Sequence, residues 1–215
     1  MRVIDLTALI LAAVAVLVDA TAPAWANWIT RPLAILVILV VAVAGVPGSY
    51  RTLIMAGLAC SVIGDILPLL SEGNFPASLG VFLAVHLCYI GAFWPGVGLR
   101  GAWIARLVYV TLGVAMVAAL WPVLGPLLRV AIAVYAALIV MMAGQAAGRW
   151  AVLKTPGARS AAVGAVVFLV SDGLLALDRF RAQFPGARIA VLGTYYLAQW
   201  LIARSTAEPS PEPVT

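Results

Sequence analysis

Apolar runs and helix breakers alternate along this chain with a regularity that leaves few folds open. Eight apolar segments can be read, at roughly 4–20, 29–46, 52–70, 76–94, 102–121, 125–147, 160–177 and 188–204. Between them stand Pro23, the run Gly45 to Gly48, Gly73 to Pro76, Pro95 to Gly101, Pro122 to Pro126, Pro156-Gly157 and Pro185-Gly186. Each segment is close to the length a helix needs to cross a hydrocarbon layer about 30 Å thick. Inside lipid the backbone must satisfy its own N–H and C=O groups, and a helix does so within one segment. The expected fold is therefore all-α, a polytopic membrane protein with a bundle of eight transmembrane helices forming one domain over residues 1–204. Residues 205–215 are Pro-rich and acidic and are expected to be a disordered tail.

Composition agrees, with 65% of the residues apolar and only 10% charged. A soluble domain carries about 25% charged residues. The net charge of +5 suggests no nucleic-acid partner, because the 13 basic residues are scattered over segment ends. Such a pattern serves topology and anionic head groups. Cys60 and Cys88 lie inside predicted helices without zinc-ligand spacing and read as packing residues. The first segment imitates a signal peptide ending at Ala24-Trp25-Ala26, but Asp5 and Asp19 flank its apolar core, so it reads as a retained helix.

With eight spans, one side of the membrane receives Arg2, Arg51, Arg100, Arg106, Arg149, Lys154, Arg159 and Arg204; the other receives Arg31, Arg129, Arg179, Arg181 and Arg188. The positive-inside rule then places both termini in the cytoplasm. The seven tryptophans sit near segment ends, as an interfacial belt would. A faint repeat is visible: LACSVIGDILPLL around Asp65 resembles VVFLVSDGLLALD around Asp172. The helix after each acid is polar too, with His86 and Tyr89 in one half and Tyr195 and Gln199 in the other. Two parallel four-helix pseudo-repeats would produce this pattern.

Ionisable residues inside spans are costly, face the bundle interior and mark function by default. Asp65 lies in the third segment, with Ser61 one turn before it on the same face. Pro68 follows three residues later and disturbs the carbonyl of Gly64. The fourth segment carries His86, the only histidine. The sixth adds Tyr135, the seventh Asp172, and the eighth Tyr195, Tyr196 and Gln199, while Arg31 opens the second from the outer side. All fall in the middle-to-outer half, compatible with one polar pocket. The plainer alternatives are hydrogen-bonded structural acids, a core histidine and packing tyrosines. Asp5, Asp19 and Asp178 sit at helix ends and are expected to be solvated.

These residues carry a family resemblance. The run Gly57-Leu58, Ile63-Gly64-Asp65, Phe82, His86, Tyr89 and Phe93 resembles the first signature of the YhhN-like membrane proteins, the lysoplasmalogenase family. Tyr135 and Met141 are similar to its middle element. Gly164-Ala165, Phe168, Ser171-Asp172, Leu175-Ala176, then Thr194-Tyr195-Tyr196, Ala198-Gln199 and Leu201-Ile202 resemble its closing signature. Arg31-Pro32 stands where the family often shows Lys-Pro, keeping the charge but not the geometry. The resemblance covers the chain from about Arg31 to Ile202. It implies eight spans and hydrolysis of the vinyl ether bond of a lysophospholipid substrate, releasing a fatty aldehyde and a glycerophospho-base. It also implies Asp65 and Asp172 as the catalytic pair.

The chemistry suits this inventory. Acid protonates the vinyl carbon and water captures the resulting oxocarbenium ion. One carboxyl must be held neutral, and the other must stay anionic to stabilise the cation. His86, Tyr195, Tyr196, Gln199, Tyr135 and Ser61 would support the pair, and Arg31 would meet a phosphate or anchor at the interface. The reaction needs no cofactor or metal. The competing class is a proton- or cation-coupled transporter using the same carboxylates.

Overall fold

A computed structural model describes residues 2–208, apart from the side chain of Glu72. Among the described residues there are eight α-helices and no strands: α1 Val3–Thr21, α2 Asn27–Val43, α3 Ser49–Leu70, α4 Phe75–Phe93, α5 Trp103–Leu120, α6 Pro126–Leu153, α7 Pro156–Phe180 and α8 Ala187–Arg204. The first seven are long and apolar enough to cross a membrane. Helix α8 has 18 residues but mixes Arg188, Thr194, Tyr195, Tyr196, Gln199 and Arg204 into its apolar run.

Start signals explain boundaries that hydropathy misplaces. The Thr155 hydroxyl accepts from the Ala158 N–H at 3.1 Å, and Pro156 occupies the first helical turn, so α7 begins several residues before its apolar run. Helix α6 continues through Arg149 and Trp150 and stops at Lys154, whose backbone is left-handed (φ 57°).

The packing order is a ring. Helices α1, α2, α3, α4, α6, α7 and α8 each contact the next, and α8 closes back onto α1. The α3–α4 and α7–α8 pairs are the most extensive, and α2 also crosses α8. Helix α5 stands outside the ring. It packs on α6, touches α7, and buries only Leu120. Small residues let the ring close: Ala8, Ala12 and Ala15 of α1 and Ala34 and Ala42 of α2 are all buried in the main core. Leucine and valine side chains line the outer faces. Six tryptophans are exposed, as a belt requires, whereas Trp200 is buried beneath the Arg204 guanidinium.

The two ends of the described chain lie at one end of the bundle. The Val46 N–H donates to the Thr206 carbonyl at 2.8 Å, Arg2 Nη1 to the Ala44 carbonyl, and the Gly157 N–H to Glu208 Oε2 at 2.8 Å. This corrects the boundary drawn after Arg204. Ser205–Ala207 forms a 3₁₀ turn with Ser205 and Thr206 buried, and the Ser205 and Tyr50 hydroxyls are hydrogen-bonded at 2.7 Å. The hydroxyls satisfy backbone carbonyls at the helix ends, which holds the segment in place. The rest of the expected tail, 209–215, lies outside the described residues.

Candidate active site

Pro68 bends local hydrogen bonding on α3 next to Asp65. The carbonyl of Gly64, which a helix N–H at position 68 would have satisfied, instead accepts from the Ser78 hydroxyl of α4 at 2.8 Å. That bond ties α4 to α3 at the level of the acid. Asp65 itself is buried, and the Tyr195 hydroxyl of α8 donates to its Oδ2 at 3.1 Å.

Asp172 projects from α7 toward the same interior. The Tyr135 hydroxyl of α6 donates to its Oδ2 at 2.6 Å. His86 Nε2 of α4 lies 3.7 Å from that oxygen. The imidazole is wholly buried, edge-on to Tyr135 and Phe168 at 5.0 and 5.1 Å between centroids. Its Nδ1 sits 2.6 Å from the Phe82 carbonyl. A carbonyl only accepts, so Nδ1 carries the hydrogen and a neutral ring turns the Nε2 lone pair toward Asp172.

Both carboxylates line one cavity of about 570 Å³, of the size that holds a small molecule. Tyr135, Tyr195 and Ser78 contribute polar surface, and Phe82, Leu112, Met116, Ile139 and Leu192 are among its apolar wall. Asp19, Arg31 and Arg188 stand at its rim, at the end of the bundle opposite the termini. The remaining predicted residues lie behind the wall. Gln199 accepts from the Tyr89 hydroxyl at 2.6 Å and donates to Ser61 Oγ at 2.8 Å, and Ser61 donates to the Gly57 carbonyl. This relay locks α4, α8 and α3 together one helical turn from the acid. Tyr196 is buried with its ring 5.2 Å from that of Tyr195, away from the cavity.

Arg31 faces a partner that sequence reasoning missed. Asp19 is 5% exposed rather than solvated, and it pairs with Arg31 of α2 and with Arg188 of α8. Arg188 Nε is 2.9 Å from one carboxylate oxygen and Nη2 donates to the other at 3.2 Å. Asp5 is buried as well, accepting from the Arg2 backbone N–H at 2.9 Å and from its side chain. The available signal was physical: an acid within the last turn of an apolar helix requires a cation beside it.

No solved structure matches the chain. Over 184 residues it is 30% identical to the membrane protein YhhN of Escherichia coli O157:H7, covering 85% of this chain and 88% of that protein. It is 36% identical over 174 residues to lysoplasmalogenase TMEM86A of Bos taurus, covering 76% of this chain and 68% of the relative. Against lysoplasmalogenase TMEM86B of Rattus norvegicus the identity is 34% over 190 residues, with coverage of 85% and 74%. Residues 26–206 match the sequence model of the YhhN family, so the match spans both carboxylates and every helix of the ring except α1. A multi-pass membrane protein with this motif order and these relatives belongs to the YhhN family.

Proposed function

We propose that this protein is a membrane-embedded hydrolase that cleaves the vinyl ether bond of lysoplasmalogens. The observation that carries the reading is the pair of aspartates lining one cavity, in a chain whose relatives include lysoplasmalogenases. Those names favour cleavage over transport by the same carboxylates.

The two carboxyls divide the work. The Nδ1–H bond to Phe82 turns the Nε2 lone pair toward Asp172, which suits a neutral carboxylic acid and would repel a carboxylate. Asp172 is therefore the acid and His86 its positioning residue. Asp65 receives a hydroxyl donor and shares the cavity with the Arg31 cation, so it is the anion. Asp172 gives its proton to the outer vinyl carbon, and the ether-bearing carbon becomes an oxocarbenium ion facing Asp65. Water adds to that carbon as Asp65 takes its proton. The hemiacetal then collapses: the proton on Asp65 passes to the glycerol oxygen, and the hydroxyl proton returns to Asp172. Aldehyde and glycerophospho-base leave, and both carboxyls regain their starting state.

Helix α8 serves as the eighth span in this reading. Both termini then share one side, which the basic-residue bias assigns to the cytoplasm. Labelling of Arg2→Cys and Ser210→Cys in a background lacking Cys60 and Cys88 is expected on the same face; labelling on opposite faces contradicts eight spans. The two halves are pseudo-repeats, supported by matching helix pairs: α1–α2 with α5–α6, α2–α3 with α6–α7, α3–α4 with α7–α8, and α8–α2 with α4–α6.

Purified protein incubated with a lysoplasmalogen in detergent tests the activity. Aldehyde is expected, with deuterium on its alpha carbon when the solvent is deuterated. The saturated ether analogue lacks the carbon that accepts the proton and is expected to stay intact. Equal cleavage of the saturated ether would refute the mechanism.

A further inference from the structure

Three helices bring charge to the cavity rim. Asp19 of α1 is buried between the guanidinium groups of Arg31 on α2 and Arg188 on α8. Two cations around one anion leave net positive charge at this place. Each guanidinium has five N–H donors, and the carboxylate engages only part of each set. Arg188 keeps much of its side chain exposed, 65%, whereas Arg31 is held at 15%. Asp178 and Arg179 of α7 also line the cavity, Arg179 lying over the Phe75 ring at 5.0 Å. The rim is therefore cationic, with three arginines against two aspartates, while the cavity beneath is largely apolar.

We propose that Arg31 and Arg188, clamped by Asp19, form the subsite for the phosphate of a lysophospholipid head group. This deepens the functional reading above and rests on it for the identity of the lipid. A distance argument supports the assignment. Arg188 and Tyr195 lie seven residues apart on α8, a rise of about 10 Å. Tyr195, whose hydroxyl donates to Asp65, leaves the helix two turns below the arginine. In a lysophospholipid with its chain at the end of the glycerol, six bonds separate phosphorus from the first chain carbon, roughly 8 Å when extended. A phosphate at the rim therefore sets that carbon at the level of Asp65. Asp19 holds both guanidiniums in place, so little side-chain entropy is lost when the phosphate binds.

The test reads binding with a lipid that is not cleaved, so it stands apart from the hydrolysis assay. Purified protein in a neutral detergent is heated with a saturated-ether lysophosphatidylethanolamine, with the matching ether glycerol lacking phosphate, or with inorganic phosphate alone. The phospholipid is expected to raise the melting temperature of the wild-type protein well above the shift given by the ether glycerol. Arg188 is exposed, and Arg31 still pairs with Asp19 when it is replaced, so the variants are expected to keep the fold. Arg188→Gln is expected to weaken phospholipid binding about ten- to hundredfold, the range for a lost charge-assisted hydrogen bond, and Arg188→Lys to restore part of it. Equal stabilisation by both lipids overturns the proposal, as does an unchanged phospholipid affinity in Arg188→Gln. A full shift with millimolar inorganic phosphate alone also overturns it, because the site would then serve a free anion.

Discussion

Asp65 and Asp172 occupy matching places on α3 and α7, yet their neighbours differ in kind. Each lies eight residues after a glycine, Gly57 or Gly164, that packs against the following helix. Each takes one polar contact from the opposite half: Tyr195 of α8 reaches Asp65, and His86 of α4 reaches toward Asp172. Around Asp65 the groups are a donating hydroxyl and, in the same cavity, the Arg31 cation. Around Asp172 they are a donating hydroxyl and a lone pair. In the proposed mechanism the same frame would be used twice, with the side chains on it setting opposite charge states. On that proposal a general acid and an anionic partner would arise without two different scaffolds.

The halves also differ at their edges. Helix α1 closes against α8, but α5 has no comparable interface with α4. Helices α4, α5, α6 and α7 all contribute to the cavity wall, α5 through Leu112, Gly113, Met116, Val117 and Leu120.

The largest expected effect breaks the comparison altogether. Asp172→Asn and Asp65→Asn should each lower aldehyde release by about 10²–10⁴-fold, the usual contribution of a positioned acid or base. Size-exclusion chromatography in detergent should show both variants folded. Loss of folded protein in both would make the acids structural.

A smaller effect sharpens it. The Tyr195 hydroxyl bonds to a carboxylate in this account, and the Tyr135 hydroxyl to a neutral acid. Hydrogen bonds to charged groups contribute about 1.5–3 kcal/mol and neutral ones about 0.5–1.5 kcal/mol. Tyr195→Phe should therefore cost roughly ten- to hundredfold in kcat/KM, and Tyr135→Phe less than about tenfold. The reverse order would exchange the roles of the two acids.

The smallest effect concerns the frame alone. A Cβ on Gly57 would overlap the Tyr89 ring, and one on Gly164 would lie 2.9 Å from Ile202 Cγ1. Gly57→Ala and Gly164→Ala should each destabilise the fold by about 1–3 kcal/mol. Gly80→Ala, with open space around the added carbon, serves as the control. Thermal unfolding in detergent checks all three. A neutral Gly164→Ala beside a damaging Gly57→Ala would mean that the halves pack by different rules.

Much of this was legible in the chain because lipid restricts what a polar residue can do. Asp65, Asp172, His86, Tyr135 and Tyr195 were found by their cost inside apolar runs, and the structure brings them to one cavity or its wall. Gln199 and Ser61 were found by the same signal but form a lock between helices, since hydrogen-bonding need alone does not separate a site from a seam. Asp19 was expected to be solvated and Arg188 was counted only for topology, because the two are far apart in sequence and each sits near a helix end, where solvation is the default. The ends of α6 and α7 were misread because Arg149 and Arg159 interrupt apolarity without interrupting the helix, whereas the Thr155-Pro156 start signal is local. The outlying position of α5 left no trace in its hydropathy, which matches that of α1, α2, α3, α4, α6 and α7.

The division of labour between the carboxyls is tested most directly at the single histidine. Protein labelled with ¹⁵N only in histidine gives one imidazole, His86, whose two nitrogens report their own protonation in NMR. The account predicts a neutral ring at pH 7 with one-bond proton coupling at Nδ1 and none at Nε2, and an Nε2 signal that moves in Asp172→Asn but not in Asp65→Asn. An imidazolium, or a proton on Nε2 alone, would mean that the ring donates to Asp172, and would contradict the assignment of that residue as the acid.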